Sequence, residues 1–439
     1  MNNIYAFLIS ALAVYLFIRI APYQPRLSGR RDDLKAVQSA HTKLTPRVGG
    51  VSVAIALVAM LALLPPDVAQ ITGLLLLGAI PVFASGLLED LGYGIPPRGR
   101  LMAAFSSTAL LIWLSGAWIK SLGIMETDFI FANPVVGGVF TLLVLAGITN
   151  AFNLIDGING FASGTAIVAA VTLGLIAQDA GLTAIAALSY MLAAACLGFF
   201  VFNWPRGLIF MGDGGAYLIG FALGWIGVWI LNAAPEVAPW SIVLTLFWPI
   251  FEFLYSIVRR TAQGKSSMHP DRMHMHQIAM RYLLLTRARD RGRLVANSTA
   301  SALLLPLVAI PAVCGYIMRN HNEVAMLAAI GLGFGFITLR QVLIRKARTA
   351  RVFGRIQFVS LNDDAIAEDV SPFSGIYIQD SISVMVDIRR ASDSRDWVLS
   401  TTADGSGRKV WPGVFSNDDE AWHEFMSAAR KYGMDYMVE

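Results

Sequence analysis

The residues able to do chemistry fall into five short clusters. The first, His41-Thr42-Lys43-Leu44-Thr45-Pro46-Arg47-Val48-Gly49-Gly50, offers Lys43 and Arg47 to phosphate, beside glycines that let backbone approach a ligand closely. In Glu89-Asp90, two adjacent carboxylates repel each other at the end of an apolar run, and a divalent cation would offset both the repulsion and the lost hydration. A carboxylate there also opposes the helix dipole, which counts against a purely structural role. The run Asn150-Ala151-Phe152-Asn153-Leu154-Ile155-Asp156-Gly157-Ile158-Asn159-Gly160 packs three Asn, one Asp and two Gly between apolar stretches, where a mere turn needs one Asn-Gly or Asp-Gly. Asn153 and Asp156 there belong to a dense set of oxygen ligands and amide donors. Asn203-Trp204-Pro205-Arg206 and Phe210-Met211-Gly212-Asp213-Gly214-Gly215-Ala216 lead to Asp213 at the start of another apolar run. The expectation is that Asp213 holds a metal while the glycine amides stay free for an anion at the positive end of the helix. The fifth, His269-Pro270-Asp271-Arg272-Met273-His274-Met275-His276-Gln277, has two histidines that share a face of an extended segment. No Cys or H-x-x-x-H pair accompanies them, so Arg272, His274 and His276 suit phosphate or a uridine ring better than zinc.

Taken singly, each cluster has a plainer reading. Lys43 and Arg47 would anchor a membrane helix, Glu89-Asp90 would be a solvated helix end, and Asp213 an N-cap. The run 150–160 would be a turn, and 269–277 a charged loop with incidental histidines. What favours chemistry is their common location.

A helix needs about 20 mostly apolar residues to cross a hydrocarbon core of about 30 Å. Eleven runs qualify: 3–21, 48–64, 69–88, 101–118, 135–151, 161–177, 182–202, 214–232, 239–258, 297–318 and 323–344. The first lacks a basic n-region and a small-residue cleavage site, so it reads as a retained span and not a signal peptide. Basic residues crowd the odd-numbered connections: Arg26 to Arg47, Arg98 and Arg100, and nine Lys/Arg between Arg259 and Arg293. Even connections hold only Lys120 and Arg319. By the positive-inside rule the odd loops and the C-terminus are cytoplasmic and the N-terminus lies outside. All five clusters then face the cytoplasm.

The chain is 56% apolar and only 15% charged, against about 25% charged in soluble proteins. Its net charge of +4 conceals an asymmetry: residues 357–439 hold 15 acidic and 7 basic residues, and the rest 15 acidic and 27 basic. A basic apolar body suits anionic headgroups and phosphorylated substrates. Nucleic acid fits worse, because the basic residues sit in short loops between spans. Cys196 and Cys314, both within apolar runs, read as packing residues. Beyond Arg355, alternation over Ile382–Ile388 and at Trp397–Thr401 reads as strands, Asp404-Gly405 as a turn, and Asp418–Tyr432 as an amphipathic helix capped by Asn417. The expected fold is an all-α polytopic membrane protein of about eleven spans, residues 1–350, with a small acidic α+β appendage, 357–439.

Over about residues 1–350 the clusters, in order, resemble the polyprenyl-phosphate N-acetylhexosamine-1-phosphate transferases, glycosyltransferase family 4. Asn150–Gly160 and Phe210–Gly220 are the specific motifs, and Pro270–Gln277 followed by Met280-Arg281 looks closer to the branch acting on GlcNAc 1-phosphate than to the cell-wall branch with its triple His. The resemblance implies a Mg2+-dependent enzyme (Mn2+ being the alternative) of the bacterial inner membrane. It would pass HexNAc 1-phosphate from a UDP-sugar to undecaprenyl phosphate, as the initiating step of a cell-envelope glycan. It implies catalytic roles for Asp90, Asp156 and Asp213, metal binding by Asp213, Asp90 and Glu89, and substrate binding by Lys43, Arg47, Asn153, Arg272, His274 and His276. The chain departs from the family pattern at Glu89, usually Asp, at Ala216, usually Ser, and at Gln277, often His. A protein partner for the C-terminal segment and a homodimer stay open. One rival reading is a secondary transporter, whose charges would sit near the bilayer midplane; here Glu252 is the main charge inside a span. The other is a silent scaffold, which leaves the Asn/Asp/Gly motifs unexplained.

Overall fold

In a membrane the backbone has only its own carbonyls to bond to, so long apolar runs become helices. The computed structural model describes residues 2–24, 26, 45–262, 264, 273–286, 292–359, 368–371, 373–379, 382–391, 396–403 and 408–432. Two units result, Met1–Gly354 and Arg355–Glu439. The first is a helical bundle: α1 Asn2–Ile20, α2 Gly49–Met60, α3 Pro66–Asp90, α4 Pro97–Ser115, α5 Met125–Ala132, α6 Pro134–Ile155 and α7 Phe161–Asp179. Then follow α8 Thr183–Asn203, α9 Gly212–Ala233, α10 Pro239–Thr245, α11 Phe247–Ala262, α12 Met275–Thr286, α13 Gly292–Ile317 and α14 Asn322–Val359. Proline opens α3, α4, α6 and α10, where its missing N–H costs nothing.

Among the described residues eight helices are long and apolar enough to cross a membrane: α1, α3, α6, α7, α8, α9, α13 and α14. A ninth is added if the bent pair α10–α11 is one span. The chain is therefore a multi-pass membrane protein, and among the described residues fewer full spans qualify than the eleven expected. The run 48–64 yields only the 12-residue α2. The run 101–118 falls in α4, whose first turn carries Arg98 and Arg100. The run 239–258 is broken by 84° at Leu246. Pro249 cannot donate to the carbonyl of Thr245 and its ring crowds that carbonyl, so the helix stops and restarts.

The centre of the bundle is α9, in which every residue from Gly212 to Ile230 is buried. Apolar on all sides, it can only be an interior helix. The outer helices keep large apolar side chains exposed, such as Leu8, Leu12, Leu143, Leu303 and Phe334, as a lipid-facing surface requires. The C-terminal ends of α3 and α6 and the N-terminal ends of α4 and α9 meet at one end of the bundle. At the other, Asp179 at the end of α7 pairs with Arg319 (3.0 Å) and accepts from Tyr316 Oη (2.9 Å), beyond and within α13.

The second unit is an antiparallel sheet, β1 Glu368–Val370, β2 Gly375–Gln379, β3 Ile382–Ala391, β4 Val398–Ala403 and β5 Arg408–Val410, with the helix α15 Asp418–Tyr432. The strand order is β1-β3-β4-β5, with β2 also paired to β3. Val384, Val386, Ile388 and Leu399 form a core with Phe425, Ala421 and Ala428 of α15. Asn417 Oδ1 accepts the Glu420 N–H at 2.8 Å, the cap the sequence predicts. The expected turn at Asp404-Gly405 lies outside the described residues.

Candidate active site

The site is built around the glycine-rich start of α9. Gly49 N–H donates to Phe210 O, Gly50 N–H to Met211 O, and Phe210 N–H to Pro46 O, each at 2.8 Å, so the first and fourth clusters run side by side. A Cβ on Gly50 would collide with Gly215 Cα, and one on Gly86 of α3 would lie 2.6 Å from Gly214 Cα. Only glycines allow α2 and α3 to clamp α9 this closely. Gly212, at φ +77°, turns the chain into the helix, and a side chain there would strike Arg47 O and the Asp90 carboxylate.

This clamp brings the acidic groups together. Asp90 is buried, and its Oδ1 and Oδ2 accept the backbone N–H groups of Asp213 and Gly214, each at 2.9 Å. The amides expected to stay free for an anion are thus occupied by a carboxylate of the protein itself, which satisfies the helix dipole in the same way. Asp213 Oδ2 accepts from Arg100 Nη1, and its Oδ1 lies 3.4 Å from Arg47 Nη2. Arg47 Nε lies 3.7 Å from Asp90 Oδ1. Asp156, just past the end of α6, feels the charges of both Arg47 and Asp213. Loss of hydration, opposed by Arg47 and reinforced by Asp213, pushes its carboxyl up to about 7. Asp90, Asp156 and Asp213 therefore share one neighbourhood with Arg47 as its hub, although they lie far apart in sequence.

Asn153 Nδ2 donates to Tyr217 Oη at 3.0 Å, tying α6 to α9 one turn beyond Asp213. Glu89, half-buried at the end of α3, acts electrostatically on Arg100. His274 is buried, and its Nδ1 lies 3.1 Å from Glu252 Oε1. His276 is fully buried and stacks parallel to His274, with ring centroids 5.8 Å apart. Burial and the neighbouring His274 hold its imidazole well below the usual range, so it is neutral. A Cβ on Gly157 would collide with His276 Nε2, so the histidine segment packs directly on the Asp156 turn. Lys43 and Arg272 lie outside the described residues.

Several contributors escape the sequence reading. Arg100 counts there only as an orienting charge. Tyr217 sits in an apolar run, though its place four residues after Asp213 puts it on the same helix face. Asn297 and Ser301 of α13 hold the Asp156–Gly160 loop from a distance: Asn159 N–H donates to Asn297 Oδ1 (2.7 Å) and Ser301 Oγ to Asn159 O (2.6 Å). Asn203 Oδ1 accepts from Gly160 N–H (2.5 Å), and its amide donates to Ile209 O (2.7 Å), joining the third and fourth clusters.

Among the described residues no three His, Cys, Asp or Glu side chains form a group able to hold a metal on their own. The donors are hard oxygens all the same, and Mg2+ ordinarily takes one or two carboxylates with substrate phosphates and water. Asp213 fits that smaller demand, since its two oxygens already face cationic groups. Asp90, with each oxygen on a backbone amide, is better placed to fix the start of α9.

Residues 72–231 match the profile of glycosyl transferase family 4. Among curated proteins the chain is similar to the "Probable undecaprenyl-phosphate N-acetylglucosaminyl 1-phosphate transferase" of Bacillus subtilis, 28% identical over 63% of this chain and 77% of the relative. It is likewise similar to the decaprenyl-phosphate N-acetylglucosaminephosphotransferase of Mycolicibacterium smegmatis, 28% identical over 54% of this chain and 66% of the relative, just under two thirds of its length. The undecaprenyl-phosphate alpha-N-acetylglucosaminyl 1-phosphate transferase of Escherichia coli K12 is 26% identical over 62% of this chain and 75% of its own.

Proposed function

We propose that the chain, whose residues 72–231 match glycosyl transferase family 4, transfers HexNAc 1-phosphate, GlcNAc 1-phosphate first among them, from a UDP-sugar to undecaprenyl phosphate. The observation that carries this reading is the gathering of Asp90, Asp156 and Asp213 around Arg47 and Arg100 at one end of an apolar bundle. A soluble anionic donor and a lipid-borne phosphate can meet there.

An oxygen of the lipid phosphate attacks the sugar-bearing phosphorus of the donor. The bond from that phosphorus to the bridging oxygen breaks, and UMP leaves with the electron pair. A phosphate monoester is largely dianionic at neutral pH, so it needs little help as a nucleophile. The obstacle is repulsion between two anions, so catalysis is mainly neutralisation and in-line positioning. Asp213, with Glu89 nearby, would hold Mg2+ or Mn2+ against the donor's diphosphate, which supplies charge neutralisation where the phosphates meet. Arg47 and Arg100 present planar guanidinium groups suited to phosphate oxygens. Asp90 keeps Asp213 in place through the backbone of α9, and Asn153 and Asp156 contact the nucleotide. Lys43, Arg272, His274 and His276 complete the hold on the donor's phosphates and sugar.

The charge asymmetry of the loops supports a cytoplasmic site and C-terminus, an external N-terminus, and a place in the bacterial inner membrane. The product would initiate a cell-envelope glycan. The acidic second unit would serve a protein partner or regulation.

The test is to incubate the purified full chain in detergent with Mg2+, undecaprenyl phosphate and a panel of UDP-sugars, and to weigh the lipid product. UMP release with a lipid diphosphosugar is expected without any sealed compartment. Transport of an anion in proteoliposomes without UMP release would favour the transporter reading instead.

A further inference from the structure

We infer that Tyr217 of α9 is a further substrate-binding residue, whose hydroxyl and the Nε–H of Arg100 together take an anionic oxygen of a phosphate beside Asp213; this rests on the transferase reading above. A buried donor without an acceptor costs free energy and calls for a partner. Tyr217 is 3% exposed, and its Oη accepts a hydrogen bond from Asn153 Nδ2 at 3.0 Å. That bond occupies an oxygen lone pair, so the phenolic hydrogen is left over, and no described residue accepts it. Arg100 spends Nη1 on Asp213 Oδ2, while its Nε is buried with no acceptor among the described residues.

These two donors belong to one neighbourhood. Tyr217 and Arg100 act on each other electrostatically, and each also feels Asp213. Tyr217 stands four residues after Asp213 and so shares its face of α9. A helical side chain leans back over the preceding turn, which carries the phenol toward the level of Asp213. Arg100 comes from the first turn of α4 and Asn153 from the last of α6. The acids closest in charge to the phenol are bonded to other groups: Asp213 to Arg100 and Arg47, Asp90 to two backbone N–H groups. An incoming oxygen is the acceptor that remains. A guanidinium N–H and a phenol O–H can only donate to it, and the positive charge favours an anion. The proposed reaction brings two such anions, the lipid-borne phosphate and the diphosphate of the donor.

The plainer reading is that Tyr217 only ties α6 to α9 through Asn153. Tyr217→Phe separates the two, because phenylalanine keeps the packing of the ring and removes the hydroxyl alone. The probes are UDP-GlcNAc and undecaprenyl phosphate, each titrated against thermal unfolding of the purified full chain in detergent at constant Mg2+. Undecaprenol is the phosphate-free control. For at least one of the two phosphates the midpoint of protection should move to about tenfold higher concentration or more, as the loss of a hydrogen bond to a charged group implies. The arm that moves tells the lipid's phosphate from the donor's. In UMP release, KM for that same substrate should rise by a similar factor. Tyr190→Phe, which removes a hydroxyl bonded to Gln178 at 3.0 Å at the other end of the bundle, should change neither readout.

A fall in kcat with both midpoints and both KM values unmoved is what a mere tie between helices would give, and it would overturn the inference. So would an equal shift with undecaprenol, or full activity and full protection in Tyr217→Phe. Protection that weakens in Tyr217→Phe, in a protein that releases no UMP from any UDP-sugar, would sink the transferase reading and leave the phosphate subsite standing. Robust UMP release with unmoved midpoints would sink the subsite alone, and a wild type that neither binds these phosphates nor releases UMP would sink both.

Discussion

Replacing Asp90 by Asn tests how the site is held together. The Asp90 carboxylate accepts two backbone N–H groups at the start of α9, one per oxygen. Asparagine keeps one acceptor and turns an NH2 toward the other N–H, donor against donor. Hydrogen bonds to charged groups are worth about 1.5–3 kcal/mol each. The ion pair with Arg47 adds little, because Arg47 is about a third exposed and the separation is 3.7 Å. If that free energy appears as misplacement of Asp213, kcat falls by about 10- to 100-fold, at tenfold per 1.36 kcal/mol. The assay is UMP release in detergent at saturating UDP-sugar and lipid phosphate, with a Mg2+ titration alongside. A variant retaining more than half the wild-type kcat would refute the positioning role. A loss of 10^4 or more would refute it in the other direction, because it would mean that Asp90 touches the reacting phosphates.

Gly50→Ala should lower both activity and thermal stability, by about 1–3 kcal/mol in the latter, since its Cβ meets the Gly215 backbone and not a yielding side chain; Gly73→Ala on α3, with open space around it, is the control and should do neither. Asp156→Asn should be inactive yet more heat-stable than wild type at high pH. The Asp156 carboxyl is raised from 3.8 to about 7 on folding, so its contribution is fully present below pH 4 and is lost as pH rises through 7. The stability gap in favour of the variant should therefore open from about pH 4, grow as pH rises and level off above about pH 7, with a ceiling of about 4 kcal/mol, and a gap that does not change with pH would contradict the cause assigned. Asn297→Leu leaves the buried Asn159 N–H unpaired, so a loss of about 1–3 kcal/mol in thermal unfolding is expected. Asn297→Asp, which keeps the acceptor, should recover most of it, and equal losses in the two variants would deny the hydrogen bond its role.

Asp90, Asp156 and Asp213 are legible as a site in the sequence because their cost is local. An acid beside an apolar run stands out whatever the fold, and the positive-inside bias assigns all the acids to one side before any helix is placed. The amphipathic helix from Asp418 and its Asn417 cap are readable for a similar reason, since capping here needs only the four consecutive residues Asn417 to Glu420. What escapes is pairing. Hydropathy sums residues without regard to N–H donors, so Pro249 leaves the 239–258 run apolar while breaking it by 84°. Nothing in Gly212–Gly215 announces that its amides are met by Asp90, 123 residues away, and not by a ligand. The same limit hides Glu252, which looks like an isolated charge in a span until α12 is seen to begin against it. A conspicuous motif residue here depends on inconspicuous ones on other helices: Asp213 on Asp90 and Gly50, and Asp156 on Asn297 by way of Asn159. Substitutions at such supports should mimic loss of the motif residue itself, more weakly and with a cost in stability.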